Sequence, residues 1–234
     1  PGYGGNLMTA EYRVLTSLKN NNSDFIFVFG GKEVDSRLNS IEFVLEGSCS
    51  VDAILTGGVV GTVFLIASGY ELGDATREDI EPYIRCDSIQ RASEILTMHG
   101  EMIELPVDVA IGTDDRKEFD VGATPYQKPV SDIGSATVEK YTDMVLEGGS
   151  TIATGPLGVA EEDPFSYGTK KLYETISNTD KSIISGSTTA SLCEDYDIKG
   201  FRHASTSHTS LCKFLSSDAV SNGVKVLLPR DNTI

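Results

Sequence analysis

Four glycine-bearing turns close apolar runs along this chain: Gly30-Gly31, Gly57-Gly58, Gly155-Pro156-Leu157-Gly158 and Ser185-Gly186-Ser187-Thr188-Thr189. Glycine lets a flat ring or a phosphate approach the main chain closely, and the free amides of a following helix attract anions. Each such turn is equally able to serve packing alone, but four on one sheet edge point to a ligand site. None matches the GxxxxGK[ST] phosphate loop or the GxGxxG dinucleotide fingerprint, so the commonest nucleotide folds are not indicated by their own motifs. His99, His203 and His208 lack HxxxH spacing, and Cys49, Cys86, Cys193 and Cys212 form no CxxC pair. A structural zinc site is therefore not expected, and the scattered cysteines fit a reducing compartment, with the cytoplasm as the expected location.

The elements that must hold these turns follow from apolar patterning. FIFVFGG at 25–31, DAILTGG at 52–58, MIELPVDVAI at 102–111, TIATGP at 151–156, KSIISGS at 181–187 and KVLLP at 225–229 read as strands. They are nearly continuous apolar runs, as a parallel sheet covered on both faces requires. Helical spacing connects them: Ile41, Val44 and Leu45; Ile80, Ile84, Ile89 and Ile95; Tyr141, Val145 and Leu146; and Leu172 and Ile176 after Pro164. The segment 112–131 is polar, carries two prolines and reads as a surface excursion. LMTAEYRVLTSLKN after the opening PGYGGN reads as an amphipathic helix with Asn6 as its N-cap. The alternation predicts one doubly wound α/β domain over 1–234, with a six-stranded, mainly parallel sheet in a three-layer αβα arrangement.

With 234 residues and 39% hydrophobic content, the chain has enough apolar material for such a core. Its 19 Lys+Arg against 35 Asp+Glu give a net charge of -16, a field that repels nucleic acid and anionic membranes. No nucleic-acid or membrane partner is expected, and no apolar run approaches the roughly 20 residues that cross a bilayer. A small phosphate ligand would need local positive potential from helix N-termini, a few basic side chains or a metal ion. Oligomeric state is not legible, although the apolar face of the 6–18 helix is a candidate for self-association.

The segment GPLGVAEEDPFSYGTKKL at 155–172 closely resembles the GPxGVFE...F..GT segment of phosphoglycerate kinases. Other pieces resemble that family in the same order. LMTAEYRVL at 7–15 is similar to its LMxKEL helix, FVFGGKEVDSRLNSIEFVL at 27–45 to GGAKVSDKI, and DAILTGGVVGTVFLIASGYELG at 52–73 to IGGGMAxTFLxAxGxxIG. ELPVDVAI, SDIGSAT, SIISGSTTAS and FRHASTSHTSLCKFL continue the likeness through 215. The resemblance implies the nucleotide-binding domain of a two-domain, hinge-bending kinase that moves a phosphoryl group between 1,3-bisphosphoglycerate and ADP. It also implies that residues 6–18 are the interdomain helix, and that the phosphoglycerate-binding N-terminal domain, absent from this chain, would be a separate partner.

By that resemblance Gly30, Gly31, Gly57 and Gly58 line an adenine slot, with Pro156, Gly158 and Val159 beside it and Glu161 on the ribose hydroxyls. The implied cofactor is ADP or ATP with Mg2+. The departures fall where phosphates should lie. The family's first lysine is matched by Glu33, with Lys32 one residue away, and its second by Arg37, which keeps a charge able to fork onto phosphate. Thr188, followed by Thr189, stands where the family has a magnesium-binding aspartate, and a neutral hydroxyl is a weaker ligand than a carboxylate. No metal ligand is assigned. Two glycine triplets are Ser185-Gly186-Ser187 and Ser207-His208-Thr209. Arg37, Ser207 and Thr209 are the expected contacts of the transferring group, and Lys32, Ser187, Thr188 and Thr189 those of the phosphate tail. Two readings follow: the nucleotide-binding half of a kinase, or a relative that keeps the nucleotide slot without phosphoryl transfer.

Overall fold

A computed structural model of the chain describes residues 5–20, 24–123, 125–206 and 208–217. The described residues form strands β1 (Phe25–Phe29), β2 (Val51–Thr56), β3 (Ile103–Glu104), β4 (Asp108–Ile111), β5 (Lys117–Asp120), β6 (Val130–Ile133), β7 (Ser150–Thr154), β8 (Ser182–Ser185) and β9 (His203–Ser205). Their helices are α1 (Asn6–Asn20), α2 (Val34–Glu46), α3 (Gly58–Ala67), α4 (Asp74–Ile80), α5 (Ser88–His99), α6 (Ser135–Glu147), α7 (Tyr167–Ser177), α8 (Ser187–Asp195) and α9 (His208–Ser216).

Six strands make one sheet in the order β3-β2-β1-β7-β8-β9, every neighbouring pair parallel. β1 shows why its run is apolar throughout. Phe25, Phe27 and Phe29 enter one core cluster with Val34, Leu38, Ile41 and Val44 of α2, while Ile26 and Val28 enter the opposite one with Tyr141, Leu172 and Ile176. Alternate side chains point to opposite faces, so a strand covered on both sides has no place for a polar residue. Each of these buried side chains contributes roughly 1.5–3 kcal/mol relative to exposure. The sequence order reverses between β1 and β7: successive strands are added outward as β1-β2-β3 on one side and β7-β8-β9 on the other.

Several segments depart from the sequence reading. The run 102–111 is not one strand. Pro106, which lacks an amide proton, separates the edge strand β3 from β4, and β4 belongs to a second, antiparallel sheet of order β5-β4-β6. The segment 112–131 is correspondingly more than an excursion. It supplies β5 and the start of β6, buries Val121 and Tyr126 in the core, and anchors the Tyr126 hydroxyl by donation to Asp120 O at 2.7 Å. β5 is exposed at all four positions, which is why Lys117-Glu118-Phe119-Asp120 carries no strand pattern. The sixth parallel strand is β9; the KVLLP run at 225–229 lies outside the described residues. The 80–95 stretch is broken after Ile80, where Pro82 opens a separate turn before α5. Asn6 is the first helical residue, and it is Gly5 whose carbonyl receives the Thr9 amide at 3.0 Å. α1 packs on α9 through Leu15 and Leu18, with Tyr12 edge-on to Phe214.

Candidate functional site

A cleft of about 400 Å³ opens beyond the carboxyl ends of β1 and β7, at the reversal of strand order where open α/β sheets bind ligands. Three glycine turns are stitched together to form its floor. The Gly31 amide donates to Pro156 O at 2.7 Å and the Gly58 amide to Leu157 O at 2.7 Å, while Gly30 N reaches Thr154 O at 2.8 Å. The backbones approach so closely that a Cβ on Gly30 would lie 2.2 Å from Pro156 O, and one on Gly57 2.6 Å from Leu157 Cδ2. Gly30 and Gly57 therefore serve chain-on-chain packing behind the cleft. Gly31, Gly58, Pro156, Gly158 and Val159 line it, as do Lys32, Arg37, Glu161 and Thr188.

α8 begins at the cleft. Gly186 adopts φ 94°, in the left-handed region that favours glycine, and turns the chain from β8 into the helix. Thr188 is exposed on the first turn and faces the cleft, and Ser187 beside it is also exposed. Thr189 is buried instead, its Oγ1 accepting the Gly155 amide at 2.9 Å, so this hydroxyl holds the 155–158 turn.

Arg37 stands in the cleft wall with only 5% of its side chain exposed, and each of its three guanidinium nitrogens has a partner. Nε donates to Gly30 O at 3.1 Å, Nη2 to Glu33 Oε2 at 2.6 Å, and Nη1 to His208 Nδ1 at 2.8 Å. Nη1 also lies 2.5 Å from Nε2, and because arginine cannot accept, the ring nitrogen that takes its proton must be unprotonated; Nε2 lies 3.1 Å from Ser36 Oγ and 3.0 Å from Thr209 Oγ1 as well. Burial, followed by the neighbouring Arg37 charge, pushes His208 down to about 4, which keeps the ring neutral. Burial also lowers Arg37, against the opposing pull of Glu33, yet a guanidinium this basic stays charged. The structure thus brings Arg37 and Thr209 into one cluster; Ser207 lies outside the described residues. Lys32, expected beside the phosphates, holds its Nζ 5.3 Å over the Tyr83 ring at the rim.

A second buried charge, missed in the sequence, closes the opposite wall. Asp132 of β6 is 2% exposed, and its Oδ2 accepts from Arg116 Nη1 at 2.7 Å and from the Gly168 amide at 2.8 Å. Arg116 also donates to Pro164 O and Ile133 O, and its guanidinium lies 4.9 Å over Tyr167. Desolvation outweighs these bonds and pushes the Asp132 carboxyl up to about 6. Gly158 and Gly168 are both required here, because a Cβ on either would fall within 2.6 Å of Asp132 Oδ1. The available signal was a carboxylate inside the apolar strand VSDI, which can be buried only if paired. Glu33, Asp79, Glu161 and Glu162 line the cleft together with Asp132. Among the described residues no group of three or more His, Cys, Asp or Glu could hold a metal ion. No helix among the described residues is long and apolar enough to cross a membrane.

Comparison with known proteins matches residues 1–218 to the phosphoglycerate kinase family model. The chain is 35% identical over 209 residues to a phosphoglycerate kinase of Halobacterium salinarum, covering 88% of this chain and 52% of that protein. It is 33% identical over 230 residues to that of Natronomonas pharaonis, covering 97% and 57%. Among solved structures, phosphoglycerate kinase from Pyrococcus horikoshii superposes with a TM-score of 0.82 at 29% identity, over 95% of this chain and 56% of that one. The enzyme from Coxiella burnetii, at 24% identity and a TM-score of 0.80, shares the fold. The chain spans about half the length of the curated relatives it matches. It belongs to the phosphoglycerate kinase family.

Proposed function

We propose that the switch-point cleft binds an adenine nucleotide, and that the chain acts as the nucleotide-binding half of a phosphoglycerate kinase. The observation that carries this reading is the floor built from Gly31, Gly58 and the 155–159 turn, with Glu161 among the lining residues, in a chain of this family. Gly31, Gly58, Pro156, Gly158 and Val159 flank the base, and Glu161 accepts from the ribose hydroxyls. Gly30 and Gly57 support that slot from behind. Ser187 and Thr188 present the amides of the α8 N-terminus to the phosphate tail, a favourable end for anions. Lys32 adds charge at the rim, and Arg37 and Thr209 face the transferring group; Ser207, expected beside them, lies outside the described residues.

In the forward reaction a β-phosphate oxygen of ADP bonds to the acyl phosphorus of 1,3-bisphosphoglycerate. The P–O bond to the carboxyl group breaks, and 3-phosphoglycerate leaves as a carboxylate. Such transfer is mostly positioning and charge neutralisation, so it depends on cations free to contact the moving group. Magnesium would be carried mainly by the nucleotide phosphates and water, the usual arrangement for this ion. The phosphoglycerate itself would be held by a separate N-terminal domain.

One observation favours a second reading, a nucleotide-binding relative without transfer: every guanidinium nitrogen of Arg37 is engaged within the protein. Titration with ADP and ATP, with and without magnesium, tests the nucleotide site; no binding at millimolar nucleotide would refute both forms. A coupled assay with an added phosphoglycerate kinase N-terminal domain separates them. Turnover that appears on complementation and is lost in Arg37→Ala supports the kinase half, and its absence supports the second reading.

A further inference from the structure

Glu33 occupies the N-cap position of α2, yet its carboxylate makes no capping bond. It reaches instead to Arg37 one helical turn on, where Oε2 sits 2.6 Å from Nη2, the place a phosphate oxygen would take. We infer that Glu33 is a built-in competitor for a nucleotide's phosphate tail, so that the cleft gains little affinity from added phosphates and holds adenosine, AMP, ADP and ATP about equally. This rests on the adenine-nucleotide reading of the cleft.

Four further features bear on that inference. The remaining guanidinium nitrogens of Arg37 have partners in Gly30 O and His208, so a bidentate phosphate contact through Nη2 and a second nitrogen competes with existing partners. His208 cannot add a second positive charge, because protonation would place an imidazolium against Arg37. The other cation lining the cleft is Lys32, exposed, solvated and adjacent in sequence to Glu33, and an exposed lysine of this kind holds an anion weakly. The carboxylates of Asp79, Glu161 and Glu162 line the same cleft and oppose each added phosphate charge. Glu33 is itself 62% exposed, so it can turn into solvent when removed from Arg37, which makes the contact exchangeable rather than structural.

Equilibrium binding of adenosine, AMP, ADP and ATP to the full chain at low ionic strength tests this, with Glu33→Gln in parallel. In the wild type the four affinities are expected to agree within about threefold, whereas Glu33→Gln raises the ratio of ADP to adenosine affinity about tenfold, the scale of one charge-assisted bond. Wild-type ADP binding more than tenfold tighter than adenosine, or an unchanged ratio in the variant, overturns the inference. Tripolyphosphate judges the contact without any base: it should raise the melting temperature of Glu33→Gln and leave the wild type unmoved, and equal responses overturn the inference. If adenosine binds neither protein, the nucleotide reading fails, while the tripolyphosphate comparison still decides whether Glu33 screens Arg37.

Discussion

Replacing Arg116 by Met keeps an apolar stem against Tyr167 and strips the paired side-chain cation from the buried Asp132 carboxylate. Asp132 already carries a burden. Its pKa rises from 3.8 to about 6 on folding, because burial outweighs its bonds, and that gap corresponds to about 3 kcal/mol lost once it is ionised. A carboxyl raised in this way contributes stability that is fully present below its unfolded value and lost as pH rises through the folded one. Without Arg116 the folded value climbs further, and a buried charge left without its partner costs about 3–5 kcal/mol. The deficit of Arg116→Met relative to wild type should therefore be about 3–5 kcal/mol at pH 8.5, by urea unfolding with an unchanged m-value. At pH 5 Asp132 is largely protonated in both proteins, and the lost bonds to Pro164 O, Ile133 O and the partly exposed Glu118 carboxylate remain, about 1–2 kcal/mol. Combining Arg116→Met with Asp132→Asn should abolish the pH dependence. A deficit that is the same at both pH values, or below about 1 kcal/mol at pH 8.5, would refute the reasoning.

Gly30→Ala should cost about 2 kcal/mol or more and weaken any cleft ligand, because its Cβ would meet the backbone oxygen of Pro156 at 2.2 Å and one of the two turns must move. The same change at Gly100, where φ is -57° and nothing lies within 4 Å, should stabilise by about 0.5 kcal/mol; equal melting shifts at the two sites would contradict the packing argument. His208 should titrate with an NMR midpoint below about 5 and move toward 6.5 in Arg37→Met. Since its folded value is depressed, the neutral ring contributes stability above about 6.5 that is lost as pH falls toward 4, and a wild-type midpoint at or above 6 would contradict the buried, Arg37-facing ring.

What was legible in the sequence follows the range of the physics involved. The parallel sheet was readable because burial on both faces forces unbroken apolar runs, as in Phe25–Phe29, and because glycine punctuates each strand end that meets another turn. β5 and β9 were not, since an exposed edge strand and a three-residue His-Ala-Ser strand owe their pairing to neighbours distant in sequence. The same division runs through the site. The glycine turns could be named from local pattern, and Arg37 and Thr188 from the family resemblance, but their partners could not: Arg37 and His208 are 171 residues apart, and Gly155 and Thr189 are 34. Sequence alone made Glu33 the loss of a cation and Arg37 the charge that survives. In the fold these are one event, because four residues on a helix place the two side chains together and the new carboxylate neutralises the remaining guanidinium. A substitution that reverses one charge therefore removes two from the potential available to a phosphate. Restoring the field requires altering Glu33, and adding a cation elsewhere on the rim would leave Arg37 as occupied as before.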